Sequence, residues 1–489
     1  MIHIPDEDFW ETIDLPKVQA RTFQRLRLTW AAPVGNWKGL FGNMLRGQRI
    51  FIECTSTYLS GGNTGIQRVV RNMVNCCLAA GQQVGVRCEP VIWDELHGQF
   101  TRIQEVGVAP SDDIWSRPEE KNLLQLGKEA INRMPLTIRN VLLRPSAKVL
   151  LKTMAKAIER HVWSRQQRAK GKMVQIGAND ILFLLDATWN ISPWSGVNKA
   201  KRRGAKIGAI VYDLVPVVKP TAFVEELVRS FRTWLKNILA CSDFLICISE
   251  TVAKEAAIHL RPQSPRIEQG DIRIGFSHLG VGLDHANRYG PVRNEVRAIF
   301  QDANAQRPYL CVSTIEPRKN HGYLLDAFDL AWASGSQASL IVVGKKGWKC
   351  DGVLKRLAGH PMLGKRLWAF HDLNDDEVAH CYRHARANIS ASSIEGFGLP
   401  IVEALSMGCR VWLSDIPVYR EVGGDFCLYF DLASPESLKK MLLADDRPDR
   451  IRPPRPLSEF TWPDWRISTE ALIRRILELA PPTSSRNTL

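Results

Sequence analysis

Glu395 and Glu403 bracket the stretch Glu395-Gly396-Phe397-Gly398-Leu399-Pro400-Ile401-Val402-Glu403, a pair of carboxylates at the two ends of a glycine loop. The run before it, Ala387-Asn388-Ile389-Ser390-Ala391, reads as a buried parallel strand. Pro400, with its fixed φ and missing N–H, suits the first position of a helix. Glu395 is then expected at the strand's carboxyl end and Glu403 in the first helical turn, both as carboxylates exposed to a cleft. Gly396 and Gly398 let the backbone approach a ligand closely, and the free N–H groups of a helix start favour a diphosphate. Each carboxylate can accept hydrogen bonds from vicinal hydroxyls, one set on a sugar and one on a ribose. That chemistry is the recognition of a nucleotide sugar; an ordinary strand-to-helix turn with solvated acids has the same spacing.

Other stretches extend the pattern. Tyr309-Leu310-Cys311-Val312-Ser313-Thr314 is an apolar strand leading into Ile315-Glu316-Pro317-Arg318-Lys319-Asn320-His321, a turn with adjacent cations. Val342-Val343-Gly344-Lys345-Lys346-Gly347-Trp348 and Ser414-Asp415-Ile416-Pro417-Val418-Tyr419-Arg420-Glu421 follow further strands. Together, over about 310 to 431, these residues resemble the C-terminal half of family-four glycosyltransferases, retaining enzymes of the GT-B architecture with two facing Rossmann-like domains. Upstream, Gly61-Gly62-Asn63-Thr64-Gly65-Ile66-Gln67-Arg68-Val69-Val70 resembles the glycine loop and first helix of bacterial polysaccharide and O-antigen mannosyltransferases. Tyr212-Asp213-Leu214-Val215-Pro216 resembles a His-Asp-Leu-Ile-Pro stretch of the same proteins, with Tyr212 where His is usual.

The resemblance implies roles for these residues. Arg318 and Lys319 are the cations that stabilise a departing diphosphate. Glu395 serves the donor sugar and Glu403 the ribose hydroxyls, while the backbone of Gly396, Phe397, Gly398 and Leu399 meets sugar or phosphate oxygens. Gly344 adds to the donor site, and His371, at the end of another strand, contacts the base. Gly61, Gly62, Thr64 and Gly65 complete the phosphate enclosure or admit the acceptor hydroxyl, assisted by Arg68. Asp213 is either an acceptor contact or base, or a helix cap. The implied reaction is a retaining transfer of a sugar, first of all mannose from GDP-mannose, onto a lipid-linked glycan in bacterial exopolysaccharide or O-antigen synthesis. No cofactor is expected. No metal is expected either, because the paired cations already offset the diphosphate and no Asp-x-Asp ends a candidate strand; Asp6-Glu7-Asp8 lies in the N-terminal tail. Two other classes compete. A UDP-sugar 2-epimerase shares the facing domains but lacks this Glu-x7-Glu loop, and a basic nucleic-acid-binding protein would explain the charge but not the glycine loops.

Positioning these residues takes a large scaffold. The 489 residues suit two domains plus an insertion. Residues 1–48 read as a peripheral segment, 49–284 as an acceptor-side Rossmann-like domain, 291–456 as the nucleotide-sugar domain, and 457–489 as a crossover helix and tail. Strands are expected at Arg49–Cys54, Val84–Cys88, Ile181–Leu185, Lys206–Tyr212 and Phe244–Ile248, then near 309–314, 339–344, 366–370, 387–391, 410–414 and 427–431. Apolar strands separated by helix-length segments indicate a doubly wound α/β fold with parallel sheets. The interruption at about 101–178 is basic: between Lys121 and Lys172 the acids are Glu129 and Glu159, and Leu150, Leu151, Met154 and Ile158 recur among Lys148, Lys152, Lys156 and Arg160. Such a stretch fits an anionic inner membrane, an insertion packed on its own domain, or nucleic acid.

The formal charge of +14 points to anionic partners without choosing one, and nucleic acid is not the expected partner. The eleven cysteines contain no Cys-x-x-Cys and read as reduced core residues. With no membrane-length apolar run and an acidic start, Pro5-Asp6-Glu7-Asp8, the expected location is the cytoplasm, with peripheral contact at the inner face of the plasma membrane on the membrane reading.

Overall fold

The computed structural model describes residues 48–60, 64–103, 106, 173–282, 292–301, 307–447 and 451–481. All of them belong to one compact unit, Asn43–Leu489. Residues 1–47, most of the basic interruption (107–172) and the expected linker at 284–291 lie outside the described residues.

Strands that are apolar at every position need cover on both faces, and the chain builds two such sheets. In the first, β1 (Arg49–Glu53) lies between β2 (Arg87–Asp94) and β5 (Asp180–Leu184), parallel to both, with Ile50 opposite Cys88 and Ile181. β6 (Lys206–Val211), β7 (Phe244–Cys247) and β8 (Arg273–Phe276) continue the parallel pairing. β3 (Gln99–Arg102) and β4 (Met173–Val174) add an antiparallel edge beside β2, so the basic interruption leaves and re-enters the fold at that edge. This edge departs from the all-parallel expectation. The second sheet is parallel throughout, in the order β11 (Leu367–Phe370), β10 (Leu340–Val343), β9 (Tyr309–Val312), β12 (Asn388–Ser390), β13 (Val411–Ser414), β14 (Leu428–Phe430). Strand order reverses between β9 and β12, and in the first sheet between β1 and β5. Ligands of open α/β sheets bind beyond the carboxyl ends of the strands at such switch points.

Six helices bear on the site: α1 (Thr55–Ser60), α2 (Gly65–Val84), α3 (Glu250–Leu260), α4 (Leu399–Ser406), α5 (Pro417–Gly423) and α6 (Trp465–Leu479). The expected strand at Val84–Cys88 is corrected here: α2 runs to Val84, Gly85 ends it at φ 87°, and β2 begins only at Arg87. Val69, Val70, Met73, Val74 and Cys77 recur at helical spacing on α2 and share one buried core with Leu472, Ile473 and Ile476 of α6. Burying an aliphatic side chain of this kind contributes roughly 1.5–3 kcal/mol, which is what holds the C-terminal helix on the first sheet's side. Backbone bonds fix the return of the chain. Val281 N donates to Pro463 O at 3.0 Å and Ser468 Oγ to His278 O at 2.6 Å. Asp464 caps α6 by accepting from Ile467 N at 2.8 Å. All eleven cysteines are free thiols, ten of them buried.

Candidate functional site

Arg318 and Glu395 follow β9 and β12, the two strands that flank the second sheet's switch point. Beyond β9 the chain tightens into a 3-10 turn at Pro317–Lys319, which Asn320 closes at φ 57°. Arg318 Nη1 lies 2.5 Å from Glu395 Oε2, and its Nη2 lies 2.7 Å from Glu316 Oε1. Lys319 Nζ and Ser392 Oγ both donate to Glu395 Oε1, the latter at 3.0 Å. Ser393 N donates to Arg318 O at 2.8 Å, so the two strand ends are also joined through the backbone. Burial by itself would raise the Glu395 carboxyl; Arg318 and Lys319 outweigh it and hold it at about 2. For Glu316 burial prevails over the same two cations, and its carboxyl is raised. His321, buried and beside Lys319, is pushed down to about 4. The result is a pair of cations fixed in place, next to a carboxylate that stays charged.

The first sheet presses against this cluster. A Cβ on Gly396 would overlap the Tyr212 carbonyl oxygen and lie 3.2 Å from Asp213 Cβ, so only glycine fits there. Ser249 Oγ donates to Gly396 O at 2.8 Å, and Lys219 Nζ to Ser393 Oγ at 3.2 Å. The missing side chain at Gly396 therefore permits close contact between the two halves. Asp213 follows β6 and accepts from Val215 N at 3.0 Å, one residue ahead of Leu214, the N-cap of a short helix at Val215–Val218. Burial raises its carboxyl against the pull of Arg318, which places its charge within reach of the cation cluster.

Glu403 lies in the second turn of α4, not the first, because Gly398 at φ 102° is the N-cap, Leu399 opens the helix and Pro400 is its second residue. It is not exposed. Its relative exposure is 2 % and that of Glu395 is 7 %, because both carboxylates are covered by the cations that pair with them. Arg68, in the first turn of α2, places Nη2 2.5 Å from Glu403 Oε1, and Tyr382 OH lies 3.4 Å from Oε2. Phe397 turns into the core between His278 and Trp462, with ring centroids 6.0 and 5.9 Å away, and Leu399 is partly buried.

Gly344 and His371 are brought together beyond β10 and β11, where His371 Nδ1 and Gly344 O are 2.8 Å apart. A Cβ on Gly344 would overlap Ser313 O, which accounts for the glycine. Thr64 N donates to Gln67 Oε1 at 2.9 Å, and Gly65 opens α2 with its missing Cβ facing open space. Gly61 and Gly62 lie outside the described residues.

Glu316, Ser392 and Tyr382 were not singled out from the sequence. Glu316 stands inside the Ile315–His321 turn and Ser392 one residue past the Ala387–Ala391 strand, so both have a local signal; Tyr382 has none. Chemically, the cluster can stabilise negative charge developing on a leaving group and can offer two carboxylates to hydroxyl donors.

Residues 292–442 match the family model described as glycosyl transferases group 1. The chain is 30% identical over 312 residues to the serotype-specific mannosyltransferase WbdA of Escherichia coli, covering 63% of this chain and 38% of that protein. It is 32% identical over 167 residues to the O-antigen chain mannosyltransferase B of Escherichia coli, covering 33% and 44%. To the O-antigen chain mannosyltransferase RfbU of Salmonella typhimurium it is 25% identical over 220 residues, covering 45% and 55%. The chain thus spans well under two thirds of the length of these relatives. The matched segment, which is similar to the group 1 glycosyl transferases, contains Arg318, Lys319, Glu395 and Glu403 and is built on the second, fully parallel sheet.

Proposed function

We propose that this protein is a retaining, metal-independent mannosyltransferase that moves mannose from GDP-mannose onto a lipid-linked glycan. The observation that carries the reading is the Arg318–Lys319–Glu395 cluster at the switch point of the family-matched sheet, with Asp213 of the other sheet beside it. In the reaction the bond from the sugar's anomeric carbon to the diphosphate oxygen breaks, and its electron pair leaves with the nucleotide. Arg318 and Lys319 stabilise the charge that develops there, as preorganised donors do at an oxyanion. The acceptor oxygen bonds to the anomeric carbon on the same face, and its proton passes to the departing phosphate. Glu395 holds the donor sugar and Glu403 the ribose. Support for mannose comes from the relatives, all named as mannosyltransferases, and support for a glycan acceptor from the two that are named as O-antigen chain mannosyltransferases. Support for contact with the inner face of an anionic membrane comes from the basic stretch around Lys148–Arg160. No described helix is long and apolar enough to cross a membrane.

A panel of nucleotide sugars tests the donor by thermal shift, since a ligand at a hundred times its dissociation constant stabilises the fold by about 2.7 kcal/mol. GDP-mannose is expected to give the largest rise in Tm, and transfer to a glycan acceptor is expected to persist in excess EDTA. Equal shifts across the panel would remove the donor assignment. Activity abolished by EDTA and restored by a divalent metal would overturn the metal-free mechanism.

A further inference from the structure

Glu403 is already engaged by a residue from across the two halves. Arg68 rises from the first turn of α2, on the first sheet's side, and its Nη2 lies 2.5 Å from Oε1, while the second oxygen faces Tyr382 OH at 3.4 Å. The side chains are 18 % and 2 % exposed, so water offers the carboxylate little alternative. A ribose diol needs acceptor positions on that same carboxylate, and a carboxylate has about four lone-pair sites for everything that surrounds it. A second acid, Asp375, also acts on the Arg68 charge, so the guanidinium has an anionic neighbour other than Glu403.

We propose that Arg68 competes with the donor's ribose for Glu403, and thereby sets both the affinity of the donor site and its dependence on the ribose hydroxyls. The inference rests on the reading that Glu403 takes the ribose. A ligand's apparent affinity is reduced by the fraction of molecules whose site is free to receive it, so each molecule with Glu403 held by Arg68 weakens nucleotide binding. Arg68 is in this sense an affinity-determining residue that works against the ligand, unlike Arg318 and Lys319.

Calorimetric titration of the full chain with GDP and with 2′,3′-dideoxy-GDP tests this in the wild type, Arg68→Met and Arg68→Gln. Both variants are expected to bind GDP more tightly, on the order of tenfold if Glu403 is released in about a tenth of wild-type molecules. The dideoxy nucleotide brings no diol to Glu403, so its binding is not expected to tighten, and any loss of an Arg68 contact with the diphosphate falls on both nucleotides alike. Arg68→Met leaves a buried carboxylate without its partner, a change that can unfold a protein. Arg68→Gln keeps an amide donor at the same place, and melting curves establish which variants are folded. A ratio of GDP to dideoxy-GDP affinity that is no higher in the folded variants than in the wild type would overturn the competition. If GDP fails to bind the wild type, UDP and its dideoxy form take its place; failure of both bases in every form would sink the donor reading itself, an outcome distinct from intact binding without a gain.

Discussion

Buried carboxyls in this protein meet opposite fates according to their neighbours. Glu395 has two cations and stays charged, whereas Glu53, at the end of β1, has no cation among its bonded partners. Its Oε1 accepts from Thr55 N at 2.7 Å, and burial followed by the charge of Asp186 pushes its carboxyl up to about 8. Asp186 in turn accepts from Thr57 N, Thr57 Oγ1 and Ala187 N at 2.5, 2.9 and 2.7 Å, so the pair anchors α1, the segment that leads to the glycine loop. A carboxyl raised from 4.5 to about 8 binds its proton more tightly in the folded chain than in the unfolded one. Its contribution is therefore full below about pH 4.5 and is lost as pH rises toward 8. Glu53→Gln, a neutral replacement of the same shape, is expected to flatten the fall in urea midpoint between pH 5 and 8; parallel profiles for the two proteins would show that Glu53 does not titrate there. Neither fate is legible in the sequence, because Glu53 sits 133 residues from Asp186 along the chain and no local pattern joins them.

At the scale of elements, the loop from β12 to α4 is held by fit. Gly396→Ala would drive a methyl into the Tyr212 carbonyl oxygen, a backbone atom that cannot swing aside. Glu395, next to it, would be displaced relative to Asp213. A misplacement of about 1 Å can cost roughly 10² in rate, so turnover is expected to fall by about that factor while a donor analogue still binds and the fold is retained. Wild-type turnover in Gly396→Ala would mean that this contact does not position the site. The elements themselves were readable where burial on two faces forces a run of aliphatics, as in Leu340–Val343 or Phe244–Cys247. The same residue types carry a different meaning elsewhere. Val84-Gly85-Val86 looks like a strand, but the helix before it continues through Val84 and the glycine supplies the left-handed end. The antiparallel edge strands escaped notice because four and two residues are too short to show a period of two. Glu403 was placed correctly on a helix after the glycine loop, yet its cover was invisible, since Arg68 lies 335 residues away.

Among the described residues, the two sheets are joined by a series of well-made polar contacts. Trp348 Nε1 donates to Ala222 O and Lys349 Nζ to Thr221 O, each at 2.8 Å. The most concentrated contact is Glu421 of α5, which accepts from Glu250 N at 2.7 Å, Thr251 N at 2.8 Å and Thr251 Oγ1 at 2.6 Å at the start of α3, and meets His278 Nε2 at 2.7 Å. A carboxylate from one half thus satisfies the free N–H groups at a helix start of the other, where the helix dipole also favours negative charge. Burial would raise the Glu421 carboxyl, but the bonds from His278 and Thr251 outweigh it and hold it at about 2. Because this folded value lies below the ordinary 4.5, the contribution is present above about pH 4.5 and is lost as pH falls toward 2. Hydrogen bonds to charged groups are worth about 1.5–3 kcal/mol each in net terms. Glu421→Gln keeps one acceptor oxygen but turns an NH2 toward the helix N–H groups, so a loss of about that size is expected in urea unfolding at pH 7. The gap between the two proteins should narrow at pH 3, where the wild-type contribution is itself fading. A gap of the same size at both pH values would mean that the charge is not what joins the halves, and that the packing around it does the holding.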